Sequence, residues 1–116
     1  MSTEIAALQA QLRAFADERE WGQFHSPKNL ACALSVEAAE LLEHFQWLTE
    51  EQSRSMADGK RLEVSEEIAD VFIYLLQLSD RLGIDLLEAT RAKIVRNAQN
   101  YPADLARGSS RKYTER

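Results

Sequence analysis

Glu67-Ile68-Ala69-Asp70-Val71-Phe72-Ile73-Tyr74-Leu75-Leu76 decides how this chain folds, together with an earlier stretch that repeats its acid spacing, Glu37-Ala38-Ala39-Glu40. On a helical wheel at about 100° per residue, the two acids of each pair lie about 60° apart. A ring side chain, His44 or Tyr74, falls between them. To the other side lie Leu30, Leu34, Ala38, Leu41 and Phe45 on the first helix, and Val64, Ile68, Val71, Leu75 and Leu78 on the second. Each acid pair therefore flanks an apolar arc.

That placement is costly unless something offsets it. Two carboxylates about 4 Å apart repel by roughly 4 kcal/mol at an effective dielectric near 20, and packing the two arcs in one core makes two pairs converge. Either some carboxyl groups stay protonated or a cation sits between them. Hard oxygen donors without a Cys/His ligand set favour magnesium or manganese over zinc or copper. A single Glu-x-x-Glu is common on solvated helix faces. The repetition, and the apolar run that follows the second pair, argue for a site.

The rest of the composition narrows the function. A chain of 116 residues forms one domain with a modest core. A net charge of -5 makes a nucleic-acid backbone an unsuitable partner. The start, Met1-Ser2-Thr3-Glu4-Ile5, lacks a basic segment followed by an apolar one, and no apolar stretch is long enough to span a bilayer, so a cytoplasmic protein without membrane attachment is expected. The single cysteine, Cys32, lies among Leu30, Ala31, Ala33 and Leu34, which predicts a buried, inert thiol.

Outward from the acid helices, residues 3–19 read as a helix with Ile5, Leu8, Leu12 and Phe15 as its buried stripe. Glu20 to Pro27 is an aromatic-rich loop: Phe24 is expected to cap the core, while Trp21 and His25 suit stacking on and hydrogen bonding to a nucleobase. Ser26-Pro27 starts the first acid helix, which should reach Trp47. Thr49 and Gln52 have capping-box spacing, and Asp58-Gly59 should break the short helix that follows. The second acid helix is expected from Lys60 to Leu82, stopped by Gly83. Its Phe72, Ile73 and Leu76 point away from the apolar arc and suggest contact with a second subunit, hence a homo-oligomer.

Asp85 caps a last helix reaching Asn100 before Tyr101-Pro102. Lys93, Asn97 and Tyr101 make one polar stripe on it, either solvated or aimed at phosphates. Residues 1–102 are expected to form the domain and 103–116 a basic tail, net +2 against -7 for the remainder. Four main helices and no strand pattern give an all-α, four-helix-bundle-like fold. Phosphate-binding glycine loops, hydrolase elbows and zinc-ribbon spacings are absent.

Glu37-x-x-Glu40 followed by Glu67-x-x-Asp70 resembles the signature of the MazG-type all-α nucleoside triphosphate pyrophosphohydrolases. The likeness extends over Glu18-Arg19-Glu20-Trp21-Gly22-Gln23-Phe24-His25, Pro27-Lys28-Asn29-Leu30, Phe45-Gln46-Trp47, Asp70 to Leu75, and Arg111-Lys112-Tyr113-Thr114-Glu115, and is nearest to the dCTP-hydrolysing branch. It covers roughly Leu12 to Glu115.

The resemblance implies conversion of a deoxynucleoside triphosphate, dCTP or a 5-modified dCTP, to the monophosphate and pyrophosphate. It implies Mg2+, with Mn2+ possible, held by Glu37, Glu40, Glu67 and Asp70; on chemical grounds Glu37 or Glu40 is expected to act as base rather than as a full ligand. It implies Trp21, Gln23, His25, Trp47 and Tyr74 around base and sugar, Lys93 and Asn97 near the phosphates, and a tetramer built as a dimer of dimers. The chain departs from the family at Asn100, where a basic residue is usual, and at Gly22, where a larger one is usual.

Two other readings fit the acids. A di-iron carboxylate bundle would need Glu-x-x-His pairs, whereas His44 follows Glu40 at i+4 and the second helix has no His. A helical interaction module would use the acids as surface charge and dock a partner on its apolar face.

Overall fold

A computed structural model describes residues 3–115, and every regular element among them is helical. The chain divides into two compact units, one ending at Ile84 and one beginning at Asp85. The expected boundary at residue 102 lies within the second unit.

In the first unit, α1 spans Thr3–Glu18, α2 Pro27–Glu43, the single turn α3 Glu50–Ser53, and α4 Asp58–Arg81. A short 3-10 turn, Trp21–Phe24, links α1 to α2. It is entered through Glu20 in the left-handed region at φ 54. Local chemistry sets most boundaries. The Ser26 hydroxyl accepts from the Asn29 N–H at 3.2 Å with Pro27 as the first helical residue. Thr49 and Gln52 form the reciprocal capping box, at 3.1 and 2.9 Å. At the end of α4, Gly83 takes φ 66 and the Ile84 N–H reaches back to the Ser79 carbonyl at 2.9 Å, a Schellman closure.

Two boundaries differ from expectation. α2 stops at Glu43, because the His44 and Phe45 N–H groups bond three residues back and the chain to Trp47 winds into tighter turns. Asp58 and Gly59 open α4 instead of breaking a helix. First-turn N–H groups lack intrahelical partners, so glycine costs little there and an aspartate meets the positive end of the helix dipole.

α4 is the central element: α2 packs along one side of it and α1 along another. The fully enclosed apolar residues come from all three helices: Ala16, Leu30, Val64 and Leu76. Burying a leucine such as Leu30 or Leu76 is worth about 1.5–3 kcal/mol. Gln9 ties α1 to α4, its Nε2 donating to the Leu76 carbonyl at 3.0 Å and to the buried Ser79 hydroxyl at 3.3 Å. Arg13 pairs with Asp80 at 2.7 Å.

Several expected core positions are not enclosed. Leu8 and Phe15 on α1 are exposed, as are Ile68 on α4 and Phe24 in the connecting turn. Cys32 is exposed rather than buried. Leu76, assigned to an outward face, is only 2 % exposed because α1 lies over it. Phe72 stays exposed. With so few enclosed apolar side chains, α1 covers only part of the apolar circumference of α4.

The second unit holds α5, Leu86–Asn100, and the single turn α6, Ala103–Ala106. Asp85 caps α5 by accepting from the Glu88 N–H at 3.1 Å. Every residue from Glu88 to Gln99 is exposed, Ile94 and Val95 included. The tail is not structureless: Tyr113–Glu115 form a 3-10 turn, and Tyr113 meets Tyr101 edge to face at 5.8 Å. Among the described residues, no helix is long and apolar enough to cross a membrane.

Candidate active site

The packing of α2 on α4 joins the two acid motifs. Glu37, Glu67 and Asp70 each present a carboxylate oxygen, and these oxygens lie within 4.8 Å of one another. Glu37 and Glu67 are half-buried and Asp70 is exposed. Helical spacing puts Glu67 and Asp70 on neighbouring ridges of α4, and Glu37 meets them from α2.

The electrostatics of this cluster are unfavourable as it stands. Oε2 of Glu37 and Oε1 of Glu67 are screened from solvent with no hydrogen-bond donor in reach. The Glu37 carboxyl is pushed up from 4.5 to about 8, first by hydrogen bonding to Glu67, then by burial, then by Glu40 beside it and by repulsion from both acids. A shared proton is thus one way to relieve the cluster, and a cation is the other. The orphaned oxygens, the hard donor set and the close spacing all suit a divalent ion such as magnesium. Glu40 acts on Glu37 from one turn along α2 and is itself exposed, outside the group of three.

A cleft of about 430 Å³ opens beside the acids, lined by Glu37, Asp70 and Tyr74 together with Trp21 and His25. The expected base-contacting residues Trp21, His25 and Tyr74 are therefore brought to the acids. Leu12, Phe15, Ile73 and Gln77 complete the wall. Sequence reasoning assigned Leu12 and Phe15 to a buried stripe and did not single out Gln77. The available signal for Gln77 was its place two helical turns after Asp70, on the same face. Trp21 is set edge-on against Phe15, ring centroids 5.7 Å apart, and the Arg19 guanidinium covers the Phe15 ring at 3.6 Å. An aromatic floor made from α1 and the connecting turn thus faces a carboxylate wall from α2 and α4.

The remaining expected site residues are exposed. Gln23 is exposed and donates to the Glu20 carbonyl at 2.9 Å, bracing the turn. Trp47 is 86 % exposed beyond the end of α2. Lys93 and Asn97 are exposed on α5 in the second unit. At Gly22 a Cβ would meet Arg81 Nη2 at an ordinary 3.7 Å, so a Cβ is accommodated there.

The chain is similar to known proteins. The chain is 48% identical over 103 residues to dCTP pyrophosphatase 1 of Homo sapiens and 46% identical over the same length to that of Mus musculus, in each case across 87% of this chain. It spans 61% of the length of these curated relatives. The crystal structure of a pyrophosphatase from Archaeoglobus fulgidus superposes with a TM-score of 0.70 at 40% identity, covering 88% of this chain and 95% of that one. The model of the MazG-like family matches residues 32–115, and the chain belongs to that family.

Proposed function

We propose that this chain is a divalent-metal-dependent nucleoside triphosphate pyrophosphohydrolase that converts dCTP, and 5-substituted dCTP, to dCMP and pyrophosphate. The observation that carries the reading is the convergence of Glu37, Glu67 and Asp70 in one cluster, of which Glu37 and Asp70 line a cleft that also holds Trp21 and Phe15. The identity to dCTP pyrophosphatase 1 supports the choice of nucleotide.

Glu37, Glu67 and Asp70, with Glu40 beside them, would hold Mg2+, or Mn2+ in its place. When bound, such an ion offsets phosphate charge and acidifies water in its shell. The chain's own part is positioning. Water adds to the α-phosphorus as its bond to the bridging oxygen breaks, and pyrophosphate leaves in line. Glu37 or Glu40 takes the proton that the water gives up. Trp21 stacks on the base, and Leu12, Phe15 and Ile73 keep that end of the cleft dry. His25 and Tyr74 offer hydrogen bonds to base and sugar.

Gln23, Trp47, Lys93 and Asn97 complete the site in the assembled protein, the last two against the triphosphate. We read the assembly as a homotetramer, a dimer of dimers. The exposed Phe15, Phe72, Ile94 and Val95 support it, since large apolar side chains left open on one chain are commonly covered by another copy. Residues 1–102 act as the catalytic domain, and the basic tail from 103 shields an anionic ligand or a neighbouring acidic site. The cytoplasm is the compartment that fits.

Product analysis on a panel of nucleoside triphosphates with magnesium tests the reading. Monophosphate and pyrophosphate, formed fastest from dCTP or its 5-substituted forms, is the expected result. Release of orthophosphate, or no turnover at all, overturns it. The exposed apolar residues favour a second reading, a helical module that docks a protein partner. That module would show no thermal response to magnesium and a non-hydrolysable dCTP analogue.

A further inference from the structure

We propose that Gln77 determines base specificity by reading the hydrogen-bonding edge of the pyrimidine, a role that rests on the dCTP reading above. Gln77 lines the cleft with Asp70 and Tyr74, and the three share one face of α4. Seven residues separate it from Asp70, about 10 Å along the axis at 1.5 Å per residue. An α-phosphate held at the acids therefore leaves the base lying toward Gln77.

The chemistry of the lining singles out this side chain. Leu12, Phe15 and Ile73 carry no polar side-chain atom, Trp21 only donates, Tyr74 has a single hydroxyl, and a neutral His25 has its donor and acceptor at separate ring positions. Outside the acid cluster, Gln77 alone in this lining presents a donor and an acceptor side by side in one plane. Cytosine offers the complement, a 4-amino donor next to the N3 acceptor, the same adjacency that lets an amide grip adenine bidentately.

The amide is also uncommitted. No side-chain hydrogen bond is made by Gln77 among the described residues. Behind it lies a cavity of about 10 Å³, room for one water at most, which Gln77 and His25 line together with Arg13 and Asp80. Arg13 and Asp80 are closed on each other at 2.7 Å. A half-buried amide without a partner, at the end of a largely apolar cleft, is suited to a ligand that brings both halves of the bond.

The test compares dCTP with the deoxyribonucleoside triphosphate of pyrimidin-2-one, which lacks only the 4-amino group, in the wild type and in Gln77→Met. Methionine keeps the length and helix preference of glutamine and removes the amide. In the wild type kcat/KM is expected to favour dCTP by about fivefold to tenfold, the size of one good neutral hydrogen bond, and the difference should sit in KM. In Gln77→Met the two substrates are expected to converge to within about twofold, within the spread of a single weak contact.

A ratio in Gln77→Met equal to that of the wild type overturns the inference and leaves the dCTP reading standing. So does a wild type that does not distinguish the two substrates. If the wild type hydrolyses neither one, the functional reading falls, and the inference with it. Gln77→Glu serves as the second variant: it keeps an acceptor for the 4-amino group and loses the donor to N3, so KM for both substrates should rise. An unchanged KM in Gln77→Glu overturns the proposal as well.

Discussion

Glu37 on α2 and Glu67 on α4 bring carboxylate oxygens within 4.8 Å of each other, and each keeps one oxygen away from solvent with no donor to meet it. The pair is therefore a stability liability in the metal-free chain and an asset once a cation is present. Both consequences can be measured.

The first is a pH effect with a definite sign. The Glu37 carboxyl is raised from 4.5 to about 8 in the fold, so the folded chain holds a proton there that the unfolded chain has released. Its stabilising contribution is fully present below the unfolded value of 4.5 and is lost as pH rises through about 8. Metal-free protein should show a Tm that declines from pH 5 to pH 8 more steeply than the Glu37→Gln variant does. Thermal melts without metal, in parallel at each pH, read the difference.

Magnesium should reverse that penalty. An ion that binds only the folded chain stabilises it by about 2.7 kcal/mol at a hundredfold excess over its Kd. The wild type is expected to gain Tm with added magnesium at pH 7.5, and Glu67→Gln to gain little. Glu67→Gln should also lower kcat on the order of 10²-fold or more while its helical circular dichroism is unchanged. A near-normal rate in that variant would remove Glu67 from the site.

Trp21 and Trp47 should behave differently from one another. Trp21 lines the cleft against Phe15, so Trp21→Ala is expected to raise KM for dCTP at any protein concentration, and its fluorescence should be quenched by nucleotide. Trp47 is 86 % exposed on the isolated chain, so its contribution should depend on assembly. Trp47→Ala is expected to lower activity at concentrations where the oligomer persists. On dilution into the dissociated range, variant and wild type should converge.

Phe72 tests the assembly itself. It is exposed on α4, where it borders a groove of about 350 Å³ shared with Leu8 and Phe15 of α1. A carboxylate placed there would lose hydration on association, so Phe72→Glu should sediment as a smaller species with its helix content preserved. Sedimentation velocity distinguishes this from a monomer in both proteins, which would refute the oligomer.

How much of this was legible beforehand follows from the range of the forces involved. The caps at Ser26, Thr49, Gly83 and Asp85 act within one helical turn, and the chain alone specifies them. The acid spacing and the apolar arcs are likewise properties of each helix about its own axis. They made an oxygen-rich metal site the expectation before any neighbour was known.

Tertiary packing decided the rest. Periodicity marks an apolar arc without saying what covers it, and α1 covered Leu76 while leaving Phe15 and Phe72 open. The same packing turned Leu12 and Phe15 from expected core into the wall of a cleft and added Gln77 to it. It also left Phe24 exposed, and Cys32 as well, although the sequence neighbours of Cys32 are apolar. Local pattern along the chain sets the helices and the chemistry each one carries. Which faces meet is settled by packing, because a chain with more apolar surface than it can enclose has several ways to choose what stays outside.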